Sequence, residues 1–259
     1  VEYEKRYMQA LKLGNKILTS PFTRRDAQLE HQMRWLPTIR YAVKITGFTT
    51  DEADAIQKVY TFRVLPKLGM NRHFPRVVLY GPCSLGGGDF DDIKVDQLWM
   101  QLQMVQGHLR RNDMAGKILQ SNFQAIQLHI GSHRPFTMLN PESRQYLWYD
   151  THIMRWWREL YQLNIPWIIP SLATPQLQGK YDYAIMDKVI SVFPTSLQMQ
   201  RILNYVRLYL RVTLLSDMIN TNGTVKVGVV MGNEVNANTK VNYPKIPPPD
   251  SYAKRKWRD

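Results

Sequence analysis

A chain of 259 residues, 44% hydrophobic and 11% aromatic, is long enough to bury a sizeable core, and its composition excludes a disordered polyelectrolyte. Lys and Arg number 34 against 21 Asp and Glu, a formal net charge of +13, which points to a polyanionic partner, nucleic acid first. The single cysteine, Cys83, excludes an internal disulfide framework and a cysteine-based zinc site and fits an intracellular setting, and no run reaches the roughly 18 consecutive apolar residues of a membrane span.

Glu2 to Leu18 is charged and helix-prone, and Thr23 with Asp26 caps a second helix from Arg24 to Trp35 that Pro37 stops or kinks. Tyr41 to Ile45 is too short to assign. Thr49-Thr50-Asp51-Glu52 then caps a helix running to about Leu65. From Pro66 to Phe90 the composition shifts to Gly, Pro and Arg, which predicts an irregular crossing segment containing a short strand, Arg76 to Tyr80, and a unit boundary. Leu98, Leu102, Val105 and Leu109 recur at helical spacing within Lys94 to Arg111. Further helices are predicted over Met114 to Ile130, Glu142 to Leu163 and Thr195 to Leu215. Asn222-Gly223 is a turn, Thr224 to Val230 a strand or half of a small hairpin, and Pro244 to Pro249 an extended tail with a basic end.

The expected fold class is therefore mainly α with a minor β element. It is divided into a helical unit at 1–66, a connecting segment at 67–93, a larger helical unit at 94–217, and a β element with a Pro-rich basic tail at 218–259. The chain opens without Met and stops inside Lys254-Arg255-Lys256-Trp257-Arg258-Asp259, so it reads as a piece of something larger.

Basic residues gather at three places: Arg72, His73 and Arg76 in the irregular segment, His108, Arg110 and Arg111 at a helix end, and the last residues of the chain. Guanidinium forks suit phosphate oxygens and hold a nucleic acid without reading its sequence. The plainer alternative is a solvated face or, for Arg110 and Arg111, complementation of a helix dipole. Gln200, Asn204, Arg207 and Arg211 form a polar stripe on an otherwise apolar helix. That stripe is either a solvated seam on a core helix or an arginine seam, Arg207 and Arg211, facing a nucleic-acid channel. Trp148, Tyr149, Trp156, Trp157 and Tyr161 beside Arg155 and Arg158 could stack bases, or could form a buried helical face.

His129 and His133 are four apart, but Gly131 and Ser132 break the helix a two-histidine metal site would need. Gly86-Gly87-Gly88 lacks the Lys-Ser/Thr of a phosphate loop, Cys83 has no activating neighbour, and the cluster Asp89, Asp91 and Asp92 reads as helix N-capping by Asp91 or Asp92 rather than a two-metal centre.

Two stretches carry a resemblance. Trp35-Leu36-Pro37-Thr38-Ile39-Arg40-Tyr41-Ala42-Val43 with Phe48-Thr49-Thr50-Asp51-Glu52, and more specifically Lys67-Leu68-Gly69-Met70-Asn71-Arg72-His73-Phe74-Pro75-Arg76-Val77-Val78-Leu79-Tyr80-Gly81-Pro82 followed by Gly86-Gly87, resemble the region after the palm of non-LTR retrotransposon reverse transcriptases of protists and fungi. Gly107 to Asp113 and Tyr209 to Asp217 are similar to their C-terminal regions. The resemblance implies a thumb-like unit and C-terminal extension of an RNA-directed DNA polymerase. Such a region binds RNA or an RNA–DNA duplex and the remainder of the parent polymerase. It also implies no catalytic residue and no cofactor in this chain, the divalent metals belonging to the absent palm, and a nuclear site of action. The implied contacts are Arg72, His73, Arg76, His108, Arg110 and Arg111, with Arg207 and Arg211 added by the stripe. The rivals are a protein-interaction or structural module, and a nuclease using His108, His129, His133 or His152.

Overall fold

A computed structural model describes residues 2–147, 151–169, 172–237, 239 and 241–259. The chain is mainly helical and forms two compact units, Val1–Arg111 and Asn112–Asp259. The division falls after Arg111 rather than in the Gly/Pro-rich segment 67–93, because the helix that follows that segment packs back onto the first unit.

In the first unit, α1 (Glu2–Thr19) lies along α4 (Thr50–Val64). Gly14 permits the approach, since a Cβ there would stand 3.1 Å from Arg63 Cδ. The Thr23–Asp26 capping box starts α2 (Arg24–Glu30). Pro37 does not stop the helical path: a π-helical turn, His31–Trp35, leads into α3 (Leu36–Val43), with Pro37 in its first turn, where a missing N–H costs little. The π turn places both His31 and Trp35 in the core. Trp35 stacks on Tyr60 at 4.0 Å and His31 on Phe90 at 4.3 Å, and His31 Nδ1 is 3.1 Å from the Tyr60 hydroxyl. The Thr49–Glu52 capping box starts α4 as expected.

Arg76–Tyr80 is a helical turn, α5, not the expected strand. Among the described residues no strand pairs with its β-branched run; the N–H groups of Val78 and Leu79 bond Pro75 O, and the carbonyls of Val78 and Leu79 accept from Gly88 and Phe90. α6 (Ile93–Arg111) forms as expected and packs on α3 and α4; of its expected apolar face Leu98 and Val105 are buried, and Leu102 and Leu109 half-buried. Its seal is polar: Gln97 exchanges two hydrogen bonds of 3.0 Å with the Phe48 backbone, and Gln101 donates to Val43 O.

In the second unit, α7 (Met114–Ile130) is capped by Asp113 and ends at Gly131, whose φ of 66° is left-handed. The helix expected from Glu142 begins only at His152: Pro141–Arg144 is a 3-10 turn, Tyr146 dives into the core to donate to Ile130 O, and α8 is His152–Gln162, capped by Thr151. α9 (Ile185–Val192) was not anticipated. α10 is Leu197–Leu210, shorter than the expected helix to Leu215, because Arg211 turns left-handed at φ 58°. Among the described residues, β pairing is limited to two isolated antiparallel bridges, Ala184 with Leu214 and Ile219 with Val225. The turn at Asn222-Gly223 forms, but the strand expected over Thr224 to Val230 is one bridge followed by a short helical turn, α11 (Val227–Val230).

The Pro-rich tail is not extended to its end. Asp250 accepts from Ala253 N at 2.7 Å and starts α12 (Ser251–Arg258), whose Ala253 and Trp257 pack with Val206, Leu210 and Val229. Trp156 and Trp157 are buried in edge-to-face contacts with Phe136 and Trp167, so they serve the core and not base stacking. Trp148 and Tyr149 lie outside the described residues. No helix among the described residues is long and apolar enough to cross a membrane.

The His31 environment gives the first unit a pH dependence. Burial, and then the charge of Arg40, push its imidazole from 6.5 down to about 4. The unfolded chain therefore binds the extra proton first. Stability is intact above pH 6.5 and falls as pH drops from 6.5 toward 4, by on the order of 3 kcal/mol. Urea denaturation across pH 7 to 4 is expected to show this slope, and His31→Phe, which keeps the stacking but cannot titrate, to flatten it.

Candidate nucleic-acid interface

The segment from Pro75 to Phe90 is built on close backbone approach. Gly87 rests against Gly81 so tightly that a Cβ would come within 2.0 Å of Gly81 O, and at Gly88 a Cβ would come within 2.8 Å of Leu79 O. Gly87 N donates to Pro82 O, Gly88 N to Val78 O and Asp89 N to Gly81 O. The glycines thus make a locked loop, as a turn reading requires, and not a phosphate cradle. At its entrance Arg72 and His73 share one ring: the Arg72 guanidinium is 5.1 Å from the Phe62 centroid and His73 meets it edge-on at 6.0 Å. Both are exposed, whereas Arg76, at the start of α5, is half-buried.

The second basic group sits on the last turn of α6. Arg111 Nη2 donates to His108 Nδ1 at 3.2 Å, and Arg110 is exposed beside them. The carbonyls at a helix C-terminus favour cations, so this cluster is electrostatically settled with or without a ligand. Lys5, Lys12 and Lys16, on the exposed side of α1, escaped the sequence reading; their i, i+7, i+11 spacing was the available signal. Lys5 and Lys12 flank a shallow groove with Met8 and Asn15.

Arg207 and Arg211 do not form a seam facing a channel. Gln200, Asn204 and Arg207 are buried, and Arg207 is fully so. Its guanidinium donates to Leu128 O at 2.7 Å, Val212 O at 3.1 Å, Thr213 Oγ1 at 3.2 Å and Asn204 Oδ1 at 2.8 Å. It therefore ties the carbonyl end of α7, where the helix dipole leaves partial negative charge, to the segment that follows α10. Gly131 makes room for it: a Cβ there would stand 2.7 Å from Arg207 Cζ. Burial pushes the guanidinium below its ordinary value, against the neighbouring Tyr243, Tyr146 and Asp217. Arg211 is exposed, and its backbone forms the left-handed cap of α10, followed by Asn236 N donating to Leu210 O.

The histidines considered for chemistry are separated. His129 lies near Arg207, and burial first and that charge second lower its pKa. His133 Nδ1 is 3.4 Å from Asp187 Oδ2, the carboxylate that also takes Ser132 Oγ at 2.9 Å and Arg144 Nη2 at 2.6 Å. The residue types suggest a nucleophile triad, but the connectivity does not: the buried Ser132 hydroxyl donates to the carboxylate, not to the imidazole. Asp187 instead fastens α9 to the turn after α7. Partners 43 to 55 residues apart in sequence leave no local signal. His152 is exposed and stacks on Trp156. Among the described residues, no group of three or more His, Cys, Asp or Glu side chains could hold a metal ion. No protein family, curated protein or solved structure was found to match this chain.

Arg207→Leu is expected to strand several buried acceptors and destabilise the protein by about 3–5 kcal/mol in urea denaturation. Arg207→Lys should recover less than half of that, because a point charge with a different reach cannot reproduce the fork. Duplex affinity of whichever variant folds should be unchanged, since this side chain is sealed from solvent.

Proposed function

We propose that this chain is a duplex-gripping, thumb-like region of a reverse-transcriptase-type protein. It holds RNA or an RNA–DNA duplex by the phosphate backbone, while nucleotidyl transfer takes place on a palm outside the chain and in the parent's nuclear setting. The observation that carries the reading is the segregation of charge in the first unit. Seven of its eleven acidic residues fall within 51–54 and 89–96, where Arg40 pairs with Asp91 and Asp96 and Lys94 with Asp54. Outside those two stretches the unit carries sixteen basic and four acidic residues. A cationic excess of this size favours a polyanion over a mixed-charge protein partner.

The residues suited to the contact are Arg72, with His73, from the entrance of the glycine-locked loop, and Arg110 and Arg111 from the end of α6. Arg76 is the half-buried member of the group. Rigid presentation matters because each guanidinium then loses little freedom on meeting a phosphate. The resemblance of 67–82 and 107–113 to the post-palm region of non-LTR reverse transcriptases supports the same residues independently of their geometry.

Fluorescence-anisotropy titration against an RNA–DNA duplex across a salt series tests the reading. Affinity is expected to fall by about 10³ between 50 and 200 mM salt if about six phosphates are neutralised. Changing Arg72, Arg76, Arg110 and Arg111 together to Ala should weaken binding and flatten the log–log salt slope by about one per lost contact. Salt-indifferent binding, or a slope untouched by the four changes, would reject the backbone grip.

A further inference from the structure

The second unit carries a groove of about 440 Å³ that the nucleic-acid reading does not use. One wall is α9. Asp187, on one side of this short helix, is held by Ser132 and Arg144, and Val189 and Val192 project from the opposite side into the groove. The helix is therefore fixed from behind while its apolar edge stays open: Val192 is 55% exposed and Phe193, at its end, 36%. Met199 and Met218 add flexible thioether surface that can adapt to an incoming side chain.

The far wall is α12. Trp257 packs against the cluster around Val229 and its indole N–H points to Val229 O at 3.4 Å, which sets the helix in place and brings Lys256 and Arg258 to the rim. Lys188 stands on the rim from α9. Three cations thus border an apolar floor, with Asp259 the sole carboxylate side chain among the lining residues.

Two features choose the occupant. The cationic rim selects an acidic partner and disfavours a second copy of this chain, whose net charge is +13. The lining has eight aliphatic or thioether residues against three aromatics, a surface suited to apolar side chains and poor in stacking platforms for bases. We propose that the groove receives an acidic amphipathic helix of a partner protein, its apolar stripe against α9 and its Glu or Asp flanks against Lys188, Lys256 and Arg258. The site would give the chain a protein contact separate from the basic surface of the first unit.

The test uses the full chain and two fluorescein-labelled peptides of about four helical turns. They share a Leu/Phe stripe at i, i+3, i+4 and i+7 and carry either Glu or Lys at the remaining positions. The Glu peptide is expected to bind saturably and at least about tenfold tighter than the Lys peptide. Val192→Asp, at an exposed position, should weaken it by about tenfold or more, and the pair Lys188→Glu with Lys256→Glu should reverse the preference between the peptides. Thermal melts of both variants establish that they fold. Equal binding of the two peptides, or Glu-peptide binding indifferent to Val192→Asp, would overturn the proposal. Displacement of the Glu peptide by oligo-dT, with Val192→Asp abolishing the oligo-dT binding, would overturn it in favour of single-stranded nucleic acid.

Discussion

A chain built from helices with almost no sheet has to satisfy its helix ends and loop backbones without a strand ladder, and that constraint organises both units. Each helix leaves four N–H and four C=O groups unpaired at its ends, and each such group left buried without a partner costs about 1–3 kcal/mol. Buried side-chain amides and one guanidinium answer this need. Gln57 bridges Asp91 O and Ile93 N at the start of α6, Gln97 pairs with Phe48, Gln101 with Val43 and Thr46, and Gln127 with Ser132, Arg134 and Phe136. Gln200 binds Phe193 O, and Arg207 gathers the carbonyl end of α7 and the Val212 carbonyl that follows α10. A glutamine carries both a donor and an acceptor, so one side chain can replace two bonds of a missing strand.

These anchors decide what the loops can present. Gln57 fixes the exit of the glycine-locked loop by binding Asp91 O and Ile93 N. Asp187 plays the same part in the second unit, where a carboxylate that accepts from Ser132 and Arg144 holds α9 and leaves its apolar edge exposed. In both cases a buried polar contact on one side of an element makes the opposite side available. The fold therefore spends its polar interior on positioning and keeps much of its charge on the surface.

The charge is shared almost evenly, +6 in the first unit and +7 in the second, but it is not equivalent. In the first unit the acidic residues are gathered and partly neutralised by Arg40 and Lys94, which leaves a cationic remainder suited to a polyanion. In the second, two arginines turn inward, Arg144 onto Asp187 and Arg207 onto backbone, and the outward cations include those beside an apolar groove. Equal net charge thus supports two different kinds of surface.

Local patterns in the sequence determined the helices that carry their own signals: the capping boxes at Thr23 and Thr49, the four-three-four spacing of α6, the Asp113 start and Gly131 end of α7. Those signals act within one or two turns, through orphan N–H groups and side-chain period, so neighbours in sequence suffice to specify them. Three assignments depended on partners far away. Arg76–Tyr80 and Val227–Val230 have β-branched composition but, among the described residues, no strand to pair with, and a strand without a ladder is less stable than a helical turn closed by its own backbone. Arg207 sat on a stripe that looked solvent-facing, and only the arrival of the α7 carbonyls, 78 and 79 residues earlier, turns that stripe into core. Sequence determined the helical class, the basic character and the positions of Arg72, Arg110 and Arg111 at segment ends. Tertiary structure decided which cations are buried, which acidic residues are neutralised and which apolar edge is left open, because each of these depends on what a distant segment brings within hydrogen-bonding distance.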